Sequence, residues 1–309
     1  MKLARWFPIA SFFLLFFARA ASAQDDTPPN IAGVPPKILM LVRQEFEPGR
    51  VAERRKLEGS IARACEKLNV PNSWIDLESL TGPPEALFFD PFDSFEQMDA
   101  AFNGWGQILA AHQDIPRTQE EIRAMVTSER TIIAVRRDDL GSRWQSIDLS
   151  KARFLRVLEV HLNPGHESEF IESSRAIGGD YEKFKGDVPW VVYQVNSGIP
   201  APAFFVSVPM RALKQNDDLL DWRRSLREAE GDEAAQRLEQ IARDAFAYSE
   251  TNIYAVSPEM SHVAAEFAEG DPNFWTPKAA APATAAAAAS APAVAKPAPR
   301  KEPAPKPQQ

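Results

Sequence analysis

Four polar side chains lie near the ends of two predicted strands, and their types suit acid–base or binding chemistry. Arg43 and Glu45 lie two residues apart on one strand, and Glu159 and His161 lie two apart on another. Side chains two residues apart on a strand share a face. A guanidinium, two carboxylates and an imidazole in a partly dry space could bind a polar ligand or move a proton. The alternative is that they form solvated or structural ion pairs at strand ends.

Trp74 and Trp190 are further ligand-binding candidates, because an aromatic ring can line a cavity and stack on a ligand. Their simplest role is packing within the core. His161 and His166 flank a Pro-Gly turn, but their spacing matches no defined set of metal ligands. The chain also lacks the zinc-protease, Walker, dinucleotide-binding and nucleophile-elbow motifs. The sequence therefore predicts no metal site and no cofactor.

The candidates occupy matching positions in an internal repeat. An offset of 116 residues aligns Arg43 with Glu159, Glu45 with His161, Trp74 with Trp190, and Phe88-Phe89 with Phe204-Phe205. An insertion of five residues then changes the offset to 121. This second offset aligns Ser128-Glu129 with Ser249-Glu250, and Ile132-x-Ala134 with Ile253-x-Ala255. We conclude that one structural unit is present twice.

Each copy has the pattern β-α-β-β-α-β of a ferredoxin-like unit, with a further helix before its last strand. The first strands are predicted at 37–46 and 153–162, and the last at 131–136 and 252–256. A ferredoxin-like sheet carries helices on one face, so its apolar open face must be covered. The predicted fold class is therefore α+β, with two ferredoxin-like repeats packed sheet to sheet as an intrachain pseudo-dimeric α/β barrel. In this arrangement the four polar side chains point into the space between the sheets.

Pro164-Gly165, followed by His166-Glu167-Ser168-Glu169-Phe170, resembles the dimeric α/β-barrel superfamily, which includes the NIPSNAP and antibiotic-biosynthesis-monooxygenase-like families. The chain is more closely similar to a group of exported bacterial proteins of uncharacterised activity. The shared stretches are Thr81-Gly82-Pro83-Pro84-Glu85-Ala86, Tyr193-Gln194-Val195, and Asp271-Pro272-Asn273-Phe274-Trp275. The resemblance implies the barrel fold, and fold alone does not fix function.

The two ends of the chain are predicted to lie outside the fold. Residues 1–23 have a basic start, a short apolar run and an Ala-Ser-Ala site, which is the layout of a secretory signal peptide. A Pro-rich linker follows at 24–36, the repeats span 37–140 and 152–262, and 263–276 is a C-terminal extension. Residues 277–309 are mostly Ala, Pro and Lys, which predicts a disordered tail. The expected location is periplasmic or extracellular.

The charge distribution limits the partners. The whole chain has a formal net charge of −8, which separates into about −15 over residues 24–276 and +4 in the tail. An acidic body argues against nucleic-acid binding, because a binder needs excess Lys and Arg to neutralise phosphates. The basic tail could contact anionic envelope components, or it could be a solubilising tail without a partner. We expect no stable membrane insertion and a monomer with internal pseudo-twofold symmetry.

Three functions remain open at this point. The first is binding of a small molecule or partner in the cavity between the repeats. The second is a cofactor-independent monooxygenase-like enzyme with His161 or a carboxylate as base, and the third is a structural protein of the cell envelope. A large dry cavity would favour the first two, whereas a cavity filled by Leu, Phe and Trp would favour the third.

Overall fold

The computed structural model describes residues 33–183 and 188–276. The predicted signal peptide, most of the Pro-rich linker and the predicted tail lie outside the described residues. Within the described ranges, none of the helices combines the length and apolar character that a membrane crossing requires.

The first repeat contains four strands and three helices. In chain order they are β1 (Ile38–Phe46), α1 (Val51–Lys67), β2 (Trp74–Ser79), β3 (Glu85–Phe92), α2 (Phe95–Ala111), α3 (Asp114–Arg123) and β4 (Val126–Arg136). The turn after β1 uses Gly49 at φ +87°, a backbone conformation that favours glycine. Ser94 caps α2, because its hydroxyl accepts a hydrogen bond from the Gln97 backbone N–H.

The second repeat has the same strand order with one helix fewer. Its elements are β5 (Phe154–Leu162), α4 (Glu167–Lys183), β6 (Val191–Ser197), β7 (Ala203–Met210), α5 (Gln215–Ala245) and β8 (Phe246–His262). The single long helix α5 stands where the first repeat has α2 and α3, so the further helix predicted in this copy does not form. Two short helices, α6 (Ala265–Ala268) and α7 (Pro272–Trp275), follow β8.

The eight strands close into one antiparallel barrel in the order β1-β3-β2-β8-β5-β7-β6-β4. Each repeat contributes the order 4-1-3-2 of a ferredoxin-like sheet, which confirms the predicted fold class. The two sheets are also hydrogen-bonded at both edges, because β8 pairs with β2 and β4 pairs with β6. Closure in this way leaves no free sheet edge.

Strand alternation separates the lumen of the barrel from the helix-covered outer surface. Leu39, Leu41, Leu155 and Val157 belong to the apolar cluster inside the barrel. The intervening residues of β1 and β5 pack on the outside, where Ile38 contacts the cluster beneath α2. The predicted assignment of the two faces of β1 and β5 therefore agrees with the structure.

The strand pairing corrects two of the alignments between the repeats. Leu41 lies opposite Phe89, whereas the equivalent Val157 lies opposite Ser207. The residue of β7 that matches Phe89 is therefore Ser207, two residues beyond the Phe205 that the offset of 116 predicts. The alignment of the last strands is wrong by one residue. Leu41 lies opposite Ile132 and Val157 lies opposite Asn252, which sets the offset at 120. A shift of one residue reverses the face of every side chain.

One end of the barrel is plugged by the C-terminal extension. Phe267 and Trp275 belong to the same apolar cluster as the lumen residues, and Trp275 Nε1 donates a hydrogen bond to the Ser150 carbonyl oxygen over 2.6 Å. Arg153 is paired with Asp271, and its guanidinium lies 3.7 Å from the centre of the Phe274 ring. The opposite end holds the carboxyl ends of β1 and β5 and is not plugged by this segment.

Candidate functional site

An ion pair between the repeats crosses the barrel at the end opposite the plug. Arg43 Nη1 donates to Glu159 Oε2 over 2.8 Å, and Arg43 Nε lies 3.6 Å from Glu85 Oε2. Glu159 is 6% exposed, so its charge is nearly removed from water. Burial by itself would lower the pKa of Arg43, but the Glu159 and Glu85 carboxylates outweigh it and the pKa is raised. Arg43 is therefore a fixed cation.

His161 binds the other oxygen of the same carboxylate. Its Nε2 lies 2.6 Å from Glu159 Oε1, and its side chain is 18% exposed. An ionised carboxylate only accepts hydrogen bonds, so Nε2 carries the proton in this contact. In the neutral ring Nδ1 is then the acceptor. A carboxylate that orients an imidazole in this way fixes the tautomer and stabilises the imidazolium once a proton arrives.

A buried phenol extends this cluster on the side of Glu85. The Tyr254 hydroxyl donates a hydrogen bond to Glu85, and the Tyr254 side chain is fully buried. Burial and the neighbouring Glu85 raise the pKa of Tyr254 well above its usual value. Burial also raises the pKa of Glu85, although its bond to Tyr254 and the charge of Arg43 oppose this. Tyr254 therefore remains a neutral donor.

A second tyrosine lies on the side of His161. The Tyr248 ring contacts the His161 ring edge to face at 5.7 Å, and its hydroxyl donates to Glu250. Asn252 Nδ2 also donates to Glu250 over 2.9 Å, and these two bonds lower the pKa of Glu250. Asn252 in turn accepts a hydrogen bond from the Thr81 hydroxyl over 3.2 Å, which links the strand to the β2–β3 turn.

Two more charged residues complete this end of the barrel. Glu45 lies opposite Glu85 in the strand pairing and is half-buried. Its backbone carbonyl oxygen accepts a hydrogen bond from the Thr127 hydroxyl over 3.3 Å, whereas its carboxylate has no hydrogen bond or ion pair with another residue of the described chain. Arg130 lies opposite Arg43 and is exposed. Directly opposed residues of antiparallel strands share a face. We call this end the polar mouth and define it by Arg43, Glu45, Glu85, Arg130, Glu159, His161, Tyr248 and Glu250.

The lumen below the Arg43–Glu159 pair is filled by apolar side chains. A cavity of about 40 Å³ lies among them. Leu39, Leu77, Leu155, Tyr193 and Val256 are among its lining residues. A drug-sized ligand needs a pocket of several hundred Å³. The interior of the barrel is therefore a packed core, whereas Arg130, His161 and Tyr248 of the polar mouth are exposed or partly exposed.

The structure brings together four of the six predicted site residues. Arg43, Glu159 and His161 are directly bonded, and Glu45 lies on the same strand face as Arg43. Trp74 and Trp190 are elsewhere, because both point outwards into the layers beneath the helices. Trp74 donates to the Met260 carbonyl oxygen over 2.9 Å, and Trp190 packs against Tyr181 at 4.6 Å.

Sequence reasoning did not select Glu85, Arg130 or Tyr254 as site residues, and it aligned Glu250 with Glu129 without selecting either. The expected equivalence of Glu129 and Glu250 fails because of the one-residue correction to the last strand. Glu129 accepts a hydrogen bond from Gln44 over 2.6 Å on the outer face, whereas Glu250 lies in the polar mouth. Alternation along a correctly aligned β8 would have placed Glu250 and Tyr254 on the inner face.

A second ionic cluster is buried outside the barrel, between α1 and β2. Arg54 Nη2 donates to Asp76 Oδ2 over 2.5 Å, and the two residues are 2% and 0% exposed. Arg54 also contacts Glu78 Oε1 at 3.4 Å. Burial, together with the Asp76 charge, raises the pKa of Glu58 to about 8 against the opposing charge of Arg54. Within the described chain, Arg54, Asp76 and Glu78 make no hydrogen bond or ion pair with a residue of the polar mouth.

The polar mouth can act as a hydrogen-bonding site with one oriented imidazole acceptor. Arg43 bonds Glu159, Tyr254 donates to Glu85, and Tyr248 and Asn252 donate to Glu250. Across residues 33–183 and 188–276, no three His, Cys, Asp or Glu side chains are grouped as metal ligands. The chemistry available from these side chains is therefore hydrogen bonding, charge pairing and proton transfer.

Comparison with known proteins adds no activity. No protein-family model matches the chain, and no curated protein matches it. A proposed monooxygenase from Lactobacillus acidophilus NCFM is 6% identical, with a TM-score of 0.44, covering 71% of this chain and 93% of that one. An anthrone oxidase-like protein is 11% identical, with a TM-score of 0.45 and coverages of 71% and 91%.

A mutant chlorite dismutase from Candidatus Nitrospira defluvii is 10% identical, with a TM-score of 0.44 and coverages of 73% and 92%. At this level of similarity, none of the three says what this chain binds or does. The strand order of the closed barrel agrees with the resemblance to the dimeric α/β-barrel superfamily at the level of fold. The narrower NIPSNAP grouping and the relation to exported bacterial proteins stay predictions.

Proposed function

We propose that this chain is an exported protein that binds a small polar molecule at the polar mouth, with His161 Nδ1 as the hydrogen-bond and proton acceptor. The observation that carries the proposal is the Glu159 carboxylate, which bonds Arg43 with one oxygen and His161 with the other. Export is supported by the signal-peptide pattern of residues 1–23.

The exposure pattern supports binding at the mouth over binding inside the barrel. Glu159 and Glu85 are buried and hold their partners, whereas His161 is partly exposed and Tyr248 is 50% exposed. A ligand can therefore reach the imidazole without displacing the core. The proton taken from the ligand moves to Nδ1, and the resulting imidazolium is stabilised by the adjacent Glu159 carboxylate.

A cofactor-independent enzyme of the monooxygenase-like kind is the second candidate. The same observation favours it, because an imidazole oriented by a buried carboxylate is a general base. A structural role in the envelope is the third candidate, and it is favoured by the filled lumen. The three differ in what the polar mouth binds, so binding is the property to test first.

Saturation-transfer NMR with four small probes tests the proposal. The probes are acetamide, acetate, methylammonium and glycine, which present a neutral group, an anion, a cation and a zwitterion. We expect at least one probe to bind the natural protein and to lose binding in His161→Gln. His166→Gln is the matched control, because His166 Nδ1 also contacts a glutamate at 2.8 Å but lies outside the mouth.

Equal binding of every probe to His161→Gln and to the natural protein would overturn the proposal, as would the absence of binding by all four. Thermal unfolding of both variants shows whether the fold is intact. A loss of binding with unchanged unfolding assigns the effect to the imidazole.

A further inference from the structure

Equivalent positions of the two repeats carry opposite charges at the polar mouth. The offset of 116 relates Arg43 to Glu159, and the corrected offset of 120 relates Arg130 to Glu250. The first repeat thus supplies two guanidinium groups where the second supplies two carboxylates. The charge is therefore reversed between these two pairs of equivalent positions, while Glu45 and Glu85 add carboxylates on the side of the first repeat.

The strand order fixes where these residues lie. In the closed ring of eight strands, β4 and β8 are four places apart, so Arg130 and Glu250 belong to opposite walls. The strands β1 and β5 are likewise four places apart, and the Arg43–Glu159 bond joins them across the lumen. An eight-stranded barrel is just wide enough for side chains or one small ligand. The Arg43–Glu159 pair crosses the lumen between Arg130 and Glu250, and we call it the floor pair.

Arg130 and Glu250 differ from Arg43 and Glu159 in that they have no direct ion pair within the described chain. Arg130 is exposed and has no ion pair with another residue of the described chain. Glu250 is held by neutral donors only, since its hydrogen bonds come from the Tyr248 hydroxyl and the Asn252 amide. Hydrogen bonds from neutral donors keep a carboxylate ionised without cancelling its charge. The opposed walls therefore present a guanidinium and a carboxylate that have no direct ion pair within the described chain, although the charge of Arg43 also acts on Glu250.

We infer that the ligand of the polar mouth is a small zwitterion, with its anionic group on Arg130 and its cationic group on Glu250, an inference that rests on the proposed function. The anionic end is a carboxylate, which matches the planar fork of a guanidinium. The cationic end is an ammonium group, which donates to the free lone pairs of Glu250. His161 lies opposite Tyr248, whose hydroxyl donates to Glu250, and its Nδ1 accepts a hydrogen bond from the same ammonium group.

Glycine is the probe for this inference, because it carries both charges without a side chain. We expect glycine to bind about tenfold more tightly than acetate or methylammonium, since each of those makes only one of the two charge-assisted contacts. Arg130→Gln and Glu250→Gln should each weaken glycine binding by about tenfold. Arg123→Gln is the control, because Arg123 is an exposed arginine on α3, away from the mouth.

The outcomes separate this inference from the proposed function. Glycine binding that is no tighter than acetate binding, or that is unchanged in both Arg130→Gln and Glu250→Gln, overturns the zwitterion. Binding of acetamide that depends on His161 and exceeds that of glycine also overturns it, while the proposed function stands. Glycine binding lost in Arg130→Gln and Glu250→Gln, and retained in Arg123→Gln, supports both. Thermal unfolding of each variant confirms that the barrel is intact.

Discussion

Replacing Arg43 by Gln tests whether the ion pair across the barrel is as desolvated as the structure indicates. The change leaves the Glu159 carboxylate 6% exposed and without its cation. Removing one partner of a buried ion pair costs about 3–5 kcal/mol, and the 21% exposure of the Arg43 side chain reduces this to about 2–3 kcal/mol. We expect the free energy of unfolding in urea at pH 7 to fall by that amount.

The double variant Arg43→Gln/Glu159→Gln sharpens the measurement. It removes the uncompensated charge, so we expect it to be more stable than Arg43→Gln alone, with a total loss of about 1 kcal/mol. Arg123→Gln is the surface control. Its 2.5 Å pair with Glu120 joins side chains that are 64% and 72% exposed, which predicts a loss below about 0.5 kcal/mol.

Two results would refute this reasoning. One is a loss in Arg43→Gln as small as that of the Arg123→Gln control, which would mean that water screens the pair. The other concerns the free energy of unfolding of Arg43→Gln, Glu159→Gln and the double variant. If the loss in the double variant equals the sum of the losses in the two single variants, Arg43 and Glu159 do not interact.

Three further predictions concern the remaining fold. The free energy of unfolding should fall from pH 5 to pH 8, because folded Glu58 keeps its proton to about pH 8 and a free glutamate loses it near 4.5. Glu58→Gln should reduce this fall and be about 2 kcal/mol more stable at pH 8 in urea, and the fall that remains comes from Asp76 and Asp90, whose pKa values burial raises to about 7. An equal fall in the variant and in the natural protein would contradict this. Gly198→Ala should destabilise the fold by about 3 kcal/mol in thermal unfolding, because Gly198 has φ +105° and an added Cβ would lie 2.2 Å from the Thr131 carbonyl oxygen. The control Gly178→Ala places its Cβ in open space on a helix and should stabilise the fold by up to about 1 kcal/mol. Trp275→Ala should cost about 3–4 kcal/mol in urea, and a loss below 1 kcal/mol would show that the plug does not seal the core.

The sequence predicts the fold class and part of the site because the unit is repeated, and because successive side chains of a strand point to opposite faces. Apolar residues at 39 and 41, and at 155 and 157, fix the inner face and carry Arg43 and Glu159 with them. Trp74 could also have been placed, since Ile75 and Leu77 occupy the other face of the same strand. By contrast, β6 is apolar on both faces around Trp190, so alternation gives no signal there.

The rest of the site depends on register, which a repeat alignment did not resolve. The similarity of Ile132-x-Ala134 to Ile253-x-Ala255 favours an offset of 121 between the last strands of the repeats. The strand pairing instead gives an offset of 120. The reason is that Tyr254 is fully buried in the lumen and bonded to Glu85, which an outward-facing residue could not achieve. Glu250 follows Tyr254 onto the inner face. Contacts between strands that are distant in the chain thus decided which polar residues meet.

Arg43 and Glu159 are equivalent positions that touch, so the pseudo-twofold axis of the barrel passes between them. Two copies of the first repeat assembled about the same axis would bring guanidinium against guanidinium, and two copies of the second would bring carboxylate against carboxylate. Like charges in a desolvated contact repel strongly. Each half of the chain therefore completes a barrel more readily with an unlike half than with its own kind. The divergence of a single pair of residues disfavours barrels built from two like halves, whereas pairing of unlike halves keeps the Arg43–Glu159 bond, within one chain or between neighbouring molecules.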